Sequence, residues 1–230
     1  MADTWGLFTA AGGVTAVLWL QRHQHGLGVS ENEFWAAMWT LLLGGIIGAK
    51  ILFIALGWEH YARGELHLWA DFGVGFVFFG GLVGAAAAGS IFAALRGLSF
   101  VRGADYFAVA VPIGHALGRI GCFFAGCCPG RPPHPVQLYE AFGLALIAVT
   151  CRGVLTRVER QAFPPGTAFR CYLILYGALR FLLDPLRADG RPERFLGLSH
   201  QQGIALLAIG VALAWQSRVV RLGRTRQVET

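Results

Sequence analysis

Charged residues are scarce in this sequence. Only 14% of its 230 residues are Asp, Glu, Lys or Arg, against about a quarter in an average soluble protein. Hydrophobic residues make up 55%, and the mean hydropathy is +0.55. The chain also lacks internal repeats and a low-complexity linker, and its five cysteines form no recognisable disulfide framework. These absences exclude a water-soluble enzyme, a repeat array and a disulfide-rich secreted domain. They indicate an integral membrane protein that forms one polytopic domain over residues 1–230.

Seven apolar runs approach the length of about 20 residues that an α-helix needs to cross the hydrocarbon core. They cover about residues 5–20, 34–57, 72–95, 104–126, 136–151, 167–184 and 201–215. The N-terminal "MADT" lacks the basic region of a signal peptide, so the first run is predicted to remain as a span. The expected fold is therefore an all-α bundle of about seven transmembrane helices.

The distribution of arginine predicts the orientation of this bundle. Basic residues that flank spans are retained on the cytoplasmic side. With the N-terminus outside, eleven arginines fall in cytoplasmic segments and five in outer segments, so we expect an outer N-terminus and a cytoplasmic C-terminus. The net charge of +6 then reflects topology and contact with anionic membrane lipid. No nucleic-acid partner is predicted.

Three basic residues remain inside the predicted spans: Lys50, Arg119 and Arg180. Each costs about 2.5 to 3.5 kcal/mol at the centre of a membrane helix, so an intramembrane cation indicates a functional site. At about 1.5 Å per residue, all three lie within about 10 Å of the outer ends of their spans. This shared depth predicts one anion-binding site. Snorkelling to the interface or structural pairing is the alternative for each residue taken alone.

The polar neighbours of the two arginines recur at helical spacing, so each set lies along one face of its helix. The sets are His115–Arg119–Cys122–Gly126, Tyr176–Arg180–Asp184 and Gln137–Glu140. Because an unpaired polar group in hydrocarbon costs several kcal/mol, these faces are expected to surround one cavity. Two glycine-rich stretches, "GGIIGAK" at 44–50 and "FGGLVGAAAAG" at 79–89, allow either close helix packing or the approach of a lipid headgroup to backbone N–H groups.

The segments "GRIGCFFAGCCPGR" at 118–131 and "HPVQLYEA" at 134–141 resemble the signature of the prolipoprotein diacylglyceryl transferases. The order of "GAK", "FGGLVG", "YGALRFLLDPLRAD" and "LSHQQ" is also similar to that family, so the resemblance covers nearly the whole chain. It implies an enzyme of the bacterial inner membrane that moves a diacylglyceryl group from phosphatidylglycerol to the lipobox cysteine of a lipoprotein precursor. Glycerol phosphate is released, and no cofactor or metal is implied.

The resemblance also implies site residues. The two arginines of the family fall on Arg119 and Arg180, which are expected to be catalytic. The residues expected to bind substrate are Lys50, Gly80, Gly81, His134, Gln137, Tyr139, Glu140, Tyr176 and Asp184. Asp184 and Glu140 are expected to neutralise or orient the arginines, since a carboxylate beside a guanidinium is held ionised.

Several positions depart from the family signature. Phe79 stands where the family has His, Cys122 replaces an Asn, and Cys127 replaces a Glu. Lys50 and Asp184 replace an Arg and a Glu. These changes leave the anion-binding part of the signature almost intact and remove its histidine. A lipid-binding membrane protein that has lost the catalytic histidine is therefore the alternative to an active transferase.

The chemistry of diacylglyceryl transfer needs cations for the leaving phosphate and a base for the acceptor thiol. His115 lies four residues before Arg119 and is the candidate base, with a structural histidine as the alternative. A covalent thioether on Cys122 or Cys127 would trap the enzyme, whereas acyl transfer through a thioester stays open. The spacing of Cys122, Cys127, Cys128 and His134 matches no zinc pattern, so no metal site is predicted.

Overall fold

The computed structural model describes residues 2–67, 73, 75–188, 194–195 and 197–228; for residues 2–3, 194–195 and 216–228 it describes the backbone only. In chain order the elements are α1 (Ala2–Arg22), α2 (Gln24–Leu27), α3 (Glu31–Leu56), α4 (Trp58–Ala62), α5 (Phe78–Leu95), α6 (Phe100–Phe124), α7 (Val136–Glu159), α8 (Thr167–Leu183), a 3₁₀ turn (Asp184–Leu186), β1 (Arg194–Phe195), β2 (Leu198–Ser199) and α9 (His200–Val228).

Each of the seven predicted spans coincides with a helix. Four of these helices, α3, α5, α6 and α7, are long and apolar enough to cross a membrane, which confirms a helical membrane protein. The number of seven spans, the orientation and the single domain stay predictions. The side chains of the C-terminal arginines that enter the orientation count lie outside the described residues.

Two boundaries and one element differ from the sequence-based expectation. Helix α5 begins at Phe78 rather than near residue 72, and α7 continues to Glu159 rather than ending at 151. Apolarity marks the part of a helix in hydrocarbon, whereas backbone hydrogen bonding continues beyond it; Arg152 and Glu159 pair at 3.3 Å on this polar extension. The antiparallel hairpin of β1 and β2 was not expected in an all-α chain.

The helices group into two compact units, which we call the small unit (residues 24–100) and the large unit (residues 1–23 and 101–230). The small unit is built on contact between the backbones of α3 and α5. A Cβ atom at Gly48 would lie 2.8 Å from the Gly84 Cα atom and would collide with the carbonyl oxygen of Gly80. Small residues of this kind let membrane helices approach closely. The glycine-rich stretches therefore allow close packing of α3 and α5, and the approach of a lipid headgroup stays a prediction.

In the large unit, a buried carboxylate of α6 holds the start of α8. The Asp105 Oδ2 atom accepts a hydrogen bond from the Gly166 N–H at 2.6 Å, and Oδ1 accepts one from the Phe169 N–H at 2.9 Å. The first N–H groups of a helix have no partner within the helix, so Asp105 supplies acceptors that these donors need. At the same time it joins α8 to α6. Helix α8 also packs on α9, where a Cβ atom at Gly177 would lie 3.0 Å from the Ala205 carbonyl oxygen.

Replacement of Gly48 by Ala is expected to destabilise the small unit. The added methyl group meets backbone atoms, which cannot move aside as a flexible side chain can, and overpacking of this kind costs about 1 to 3 kcal/mol. The matched control is Gly45→Ala, because a Cβ atom there lies 3.6 Å from its nearest neighbour, an ordinary contact. Thermal unfolding of the purified variants in detergent should show a lower midpoint for Gly48→Ala only. Equal midpoints would contradict the proposed packing.

Candidate active site

The carboxylate of Glu140, in the second turn of α7, is fully buried and has three guanidinium groups around it. Arg119 Nη2 lies 3.1 Å from Glu140 Oε1. Arg187 Nη1 lies 3.5 Å and Arg180 Nη1 4.0 Å from Glu140 Oε2. The arginines come from α6, α8 and the segment after the 3₁₀ turn. The predicted convergence of the polar faces of α6, α7 and α8 is thus present in the structure.

Asp184 supplies a second carboxylate at the edge of this cluster. Its Oδ1 atom lies 4.0 Å from Arg180 Nη2, one helical turn away. The Ser199 hydroxyl, at the end of β2, donates a hydrogen bond of 2.5 Å to Asp184 Oδ2. The hairpin therefore fixes the carboxylate that accompanies Arg180. This geometry suits the neutralising role expected for Asp184, which stays a prediction.

Arg187 is the cluster member that sequence analysis missed, because it was counted among the arginines of an outer segment. Pro185 suggested that the helical path ended at residue 184. Instead, the 3₁₀ turn continues the path, and Arg187 follows Asp184 by three residues. Two backbone hydrogen bonds hold this segment against the preceding loop: Arg131 N–H to the Leu186 carbonyl at 2.7 Å and Ala188 N–H to the Pro129 carbonyl at 3.0 Å. The spacing of Arg180, Asp184 and Arg187 could have revealed it.

The cluster has unused hydrogen-bonding capacity. Three guanidinium groups against the two carboxylates of Glu140 and Asp184 leave a net charge of +1 among these five side chains. Among the residues that the structure describes, Arg119 Nε and Arg180 Nη1 are buried without a hydrogen-bond acceptor, and Glu140 Oε1 is buried without a donor in hydrogen-bonding geometry. An unsatisfied buried group costs about 1 to 3 kcal/mol, and more when charged. A ligand with anionic oxygens and a hydroxyl group would satisfy both kinds of atom.

His115 joins the cluster from one turn earlier on α6. Its Nε2 atom lies 3.8 Å from Glu140 Oε1, and its side chain is 29% exposed. The imidazole meets the Tyr176 ring edge to face at a centroid distance of 5.6 Å, and Tyr176 stacks on Tyr172 at 5.7 Å. His115 is therefore beside the charged groups and still accessible, as a proton acceptor would have to be.

The polar residues of the "HPVQLYE" segment lie in two different environments. Gln137 is buried, one turn before Glu140, and its Nε2 donates a hydrogen bond of 3.0 Å to the carbonyl of Cys127. His134 and Tyr139 instead pack on each other, with ring centroids 6.2 Å apart, and Tyr139 is 41% exposed. In the described part of the chain, no hydrogen bond or ion pair joins these two residues to Glu140. Their binding role stays a prediction.

The remaining predicted residues belong to the small unit. Lys50 is buried on α3, and its Nζ atom lies 5.3 Å from the ring centre of Phe53 and 5.5 Å from that of Phe76. Cation–π contacts of this kind compensate part of the cost of burying an ammonium group. Gly80 and Gly81 lie against α3. Substrate binding by Lys50, Gly80 and Gly81 stays a prediction.

The family profile described as prolipoprotein diacylglyceryl transferase matches residues 2–216. The chain belongs to this family. Similar proteins are the phosphatidylglycerol–prolipoprotein diacylglyceryl transferases of three bacteria. That of Clostridium tetani is 28% identical over 91% of this chain and 90% of its own length. Those of Geobacter sulfurreducens and Finegoldia magna are each 30% identical, over 84% and 80% of this chain and 80% and 79% of their own lengths. The resemblance found in the sequence is confirmed.

Replacement of Glu140 by Gln is expected to destabilise this diacylglyceryl transferase family member strongly. The change leaves three guanidinium groups around a neutral amide, and removal of one partner from a buried ion pair costs about 3 to 5 kcal/mol. The control is Glu59→Gln, whose exposed ion pair with Arg63 at 2.9 Å is of a kind worth about 0 to 1 kcal/mol. Thermal midpoints in detergent measure both. A Glu140→Gln protein as stable as the parent chain would show that the guanidinium groups do not depend on this carboxylate.

Proposed function

We propose that the chain is a phosphatidylglycerol–prolipoprotein diacylglyceryl transferase. The observation that carries the proposal is the cluster around Glu140, where buried guanidinium donors of Arg119 and Arg180 have no acceptor in the part of the chain that the structure describes. A phosphodiester in a membrane is the anion that such a site would meet. Guanidinium groups bind phosphate through paired hydrogen bonds and stay charged at all physiological pH values.

Phosphatidylglycerol carries two groups that this cluster could bind, a phosphate and a hydroxylated headgroup. Its phosphate oxygens accept from Arg119 and Arg180, with Arg187 adding a third positive charge. A hydroxyl of its glycerol headgroup can donate to Glu140 Oε1, which has no donor in hydrogen-bonding geometry among the described residues. The cluster thus supports binding of a phosphate that carries a hydroxylated headgroup. Tyr176 and Asp184 line the same cluster, and Lys50, Gly80, Gly81, His134, Gln137 and Tyr139 are proposed as further contacts with substrate.

The proposed reaction is an alkylation. The thiolate of the lipobox cysteine attacks the terminal glycerol carbon of the diacylglyceryl group, and a C–S bond forms as the C–O bond to phosphate breaks. The electron pair of the broken bond stays with the phosphate, which leaves as glycerol phosphate. Arg119 and Arg180 stabilise the negative charge that develops on this leaving group, and such preorganised donors usually supply a large part of catalysis.

His115 is proposed as the base that takes the thiol proton. Phe79 cannot do so, although it occupies the position of the family histidine. The imidazole of His115 is accessible and lies beside Arg119, so the proton moves from the thiol to a nitrogen close to the leaving phosphate. The proposed location is the outer leaflet of a bacterial inner membrane, with the N-terminus outside and the C-terminus in the cytoplasm. The acceptor is a lipoprotein precursor.

The absence of a histidine at Phe79 supports a second candidate, a lipid-binding membrane protein without transferase activity. Phe79 is 42% exposed, and its ring centroid lies 5.7 Å from that of Phe78. The two candidates separate in one assay. The chain is reconstituted in phosphatidylglycerol vesicles with a lipobox peptide, and release of glycerol phosphate is measured. Binding of the lipid without release at any pH from 7 to 9.5 would favour the second candidate.

Arg119→Lys is expected to reduce transfer by at least about 100-fold. Lysine keeps the charge and loses the planar pair of donors, and the loss of one donor to a developing anion costs about 10² to 10³ in rate. The matched control is Arg152→Lys, which retains its ion pair with Glu159 outside the cluster and should keep nearly full activity. The measurement is kcat/KM for the lipobox peptide in reconstituted vesicles. Equal effects of the two substitutions would contradict the role of Arg119.

His115→Gln is expected to lower transfer about 30-fold at pH 7, because about 3% of a thiol with a pKa of about 8.5 ionises without a base. The activity should recover as the pH rises through 8.5, whereas the parent chain should change little over this range. Binding of phosphatidylglycerol should be retained, since it depends on the arginines. A variant with full activity at pH 7 would show that His115 is not the base. A loss that high pH does not restore would indicate a structural role.

A further inference from the structure

The C-terminal end of α6 has the geometry of a Schellman motif. Gly126 has a left-handed backbone with φ +69°. The Cys127 N–H donates to the Cys122 carbonyl at 3.1 Å, and the Gly126 N–H donates to the Phe123 carbonyl at 3.2 Å. These nested bonds define the motif, in which the side chains of its first and last residues commonly pack together. Those two residues are Cys122 and Cys127.

Three neighbouring thiols lie at this end of α6. All five cysteines of the chain are free thiols in this structure. Cys122 and Cys127 are the first and last residues of the motif, and Cys128 follows Cys127 directly. Cys122 is buried, and Cys128 has a left-handed backbone with φ +52°. Two routes to a disulfide are therefore possible from Cys127, one across the motif and one to the adjacent residue.

We propose that Cys122 and Cys127 are an oxidisable pair whose disulfide closes the C-terminal turn of α6. A disulfide between adjacent residues closes a small ring that distorts the intervening peptide. The pair across the motif closes a larger ring, and the hydrogen bond from the Cys127 N–H to the Cys122 carbonyl already holds the two residues at one turn. The two thiols give two electrons and two protons to an oxidant. That oxidant is a protein disulfide, which becomes a dithiol, or diamide, which becomes a hydrazine.

The bond would lie next to the arginine cluster. Arg119 precedes Cys122 by one helical turn, and Gln137 of α7 holds the carbonyl of Cys127. Closure of the turn therefore restrains the part of α6 that carries Arg119 and the loop that leads to Glu140. On the predicted orientation this helix end is at the outer face, where disulfides persist. The pair is thus placed to report the redox state outside the membrane.

Burial raises the pKa of the Cys127 thiol to about 11. Contacts with the thiols of Cys122 and Cys128 act in the same direction. The attacking species in thiol–disulfide exchange is the thiolate, so the bond forms slowly at neutral pH. Below that pKa, each rise of one pH unit makes its formation about tenfold faster. Oxidation is accordingly best driven near pH 9.

The test is disulfide mapping of the purified full chain in detergent, oxidised with diamide at pH 9 and then blocked with a maleimide. Phe123 and Phe124 separate Cys122 from Cys127 and Cys128, so after chymotrypsin the two peptides stay joined only by a disulfide of Cys122, and the Cys128→Ser variant assigns that disulfide to Cys127. Mass spectrometry should find this linked pair in the parent chain and in Cys128→Ser, and lose it in Cys122→Ser and Cys127→Ser. Oxidation should raise the thermal midpoint of the parent chain and leave that of Cys122→Ser unchanged.

Three results would overturn the proposal. The first is a disulfide between Cys127 and Cys128 in place of the predicted pair. The second is recovery of both cysteines as maleimide adducts after oxidation at pH 9. The third is a linked pair that forms only when the chain is denatured before diamide is added. None of these readouts depends on transfer activity, so the outcome is separate from that of the proposed function.

Discussion

Glu140 has guanidinium groups from three segments around one buried carboxylate, and this arrangement constrains the rest of the large unit. A single arginine at the centre of a membrane helix costs about 2.5 to 3.5 kcal/mol on insertion scales. Arg119 and Arg180 therefore have to face a partner, and so do the carboxylates of Glu140 and Asp184. Rotation of α6 or α8 about its own axis would turn an arginine toward lipid. The ion cluster thus selects one rotational setting for each helix, which packing of similar apolar side chains would not.

That setting is maintained by contacts away from the charges. Asp105 binds the N–H groups of Gly166 and Phe169 and so positions the start of α8 on α6. Gly177 allows α8 to approach α9 closely. Because the carboxylate and the arginines are on rigid helices, the unsatisfied donors of the cluster cannot move to find partners within the protein. A ligand that binds as proposed would gain the hydrogen bonds that the fold leaves open.

Sequence reasoning located most of this site, because helical periodicity and the cost of buried charge both act locally. The convergence of the faces that carry His115, Arg119, Arg180 and Glu140 followed from their helical spacing and from the cost of an unpaired polar group in hydrocarbon. Arg187 was missed because Pro185 marks the end of an α-helix, and a 3₁₀ continuation depends on tertiary hydrogen bonds to the loop at 129–131. The bonds from Asp105 to the start of α8 join residues more than 60 positions apart, and no local pattern predicts them. The hairpin that holds Asp184 was missed because its strands have two residues each, too few to show an alternating pattern.

The retention of the arginines and the loss of a histidine at Phe79 have a common physical explanation. A thiol with a pKa of about 8.5 is already about 3% ionised at pH 7, so a missing base costs only about 30-fold. Departure of the phosphate depends more strongly on the protein, because loss of one positioned donor lowers the rate by about 10² to 10³. The requirement for positioned cations is therefore stricter than the requirement for a base at one particular place. A base is needed only within reach of the acceptor thiol, and His115 is attached to the same helix face as Arg119. On the proposed mechanism, proton removal can therefore move from α5 to α6 in this branch of the family, while the proposed phosphate site stays with Arg119 and Arg180.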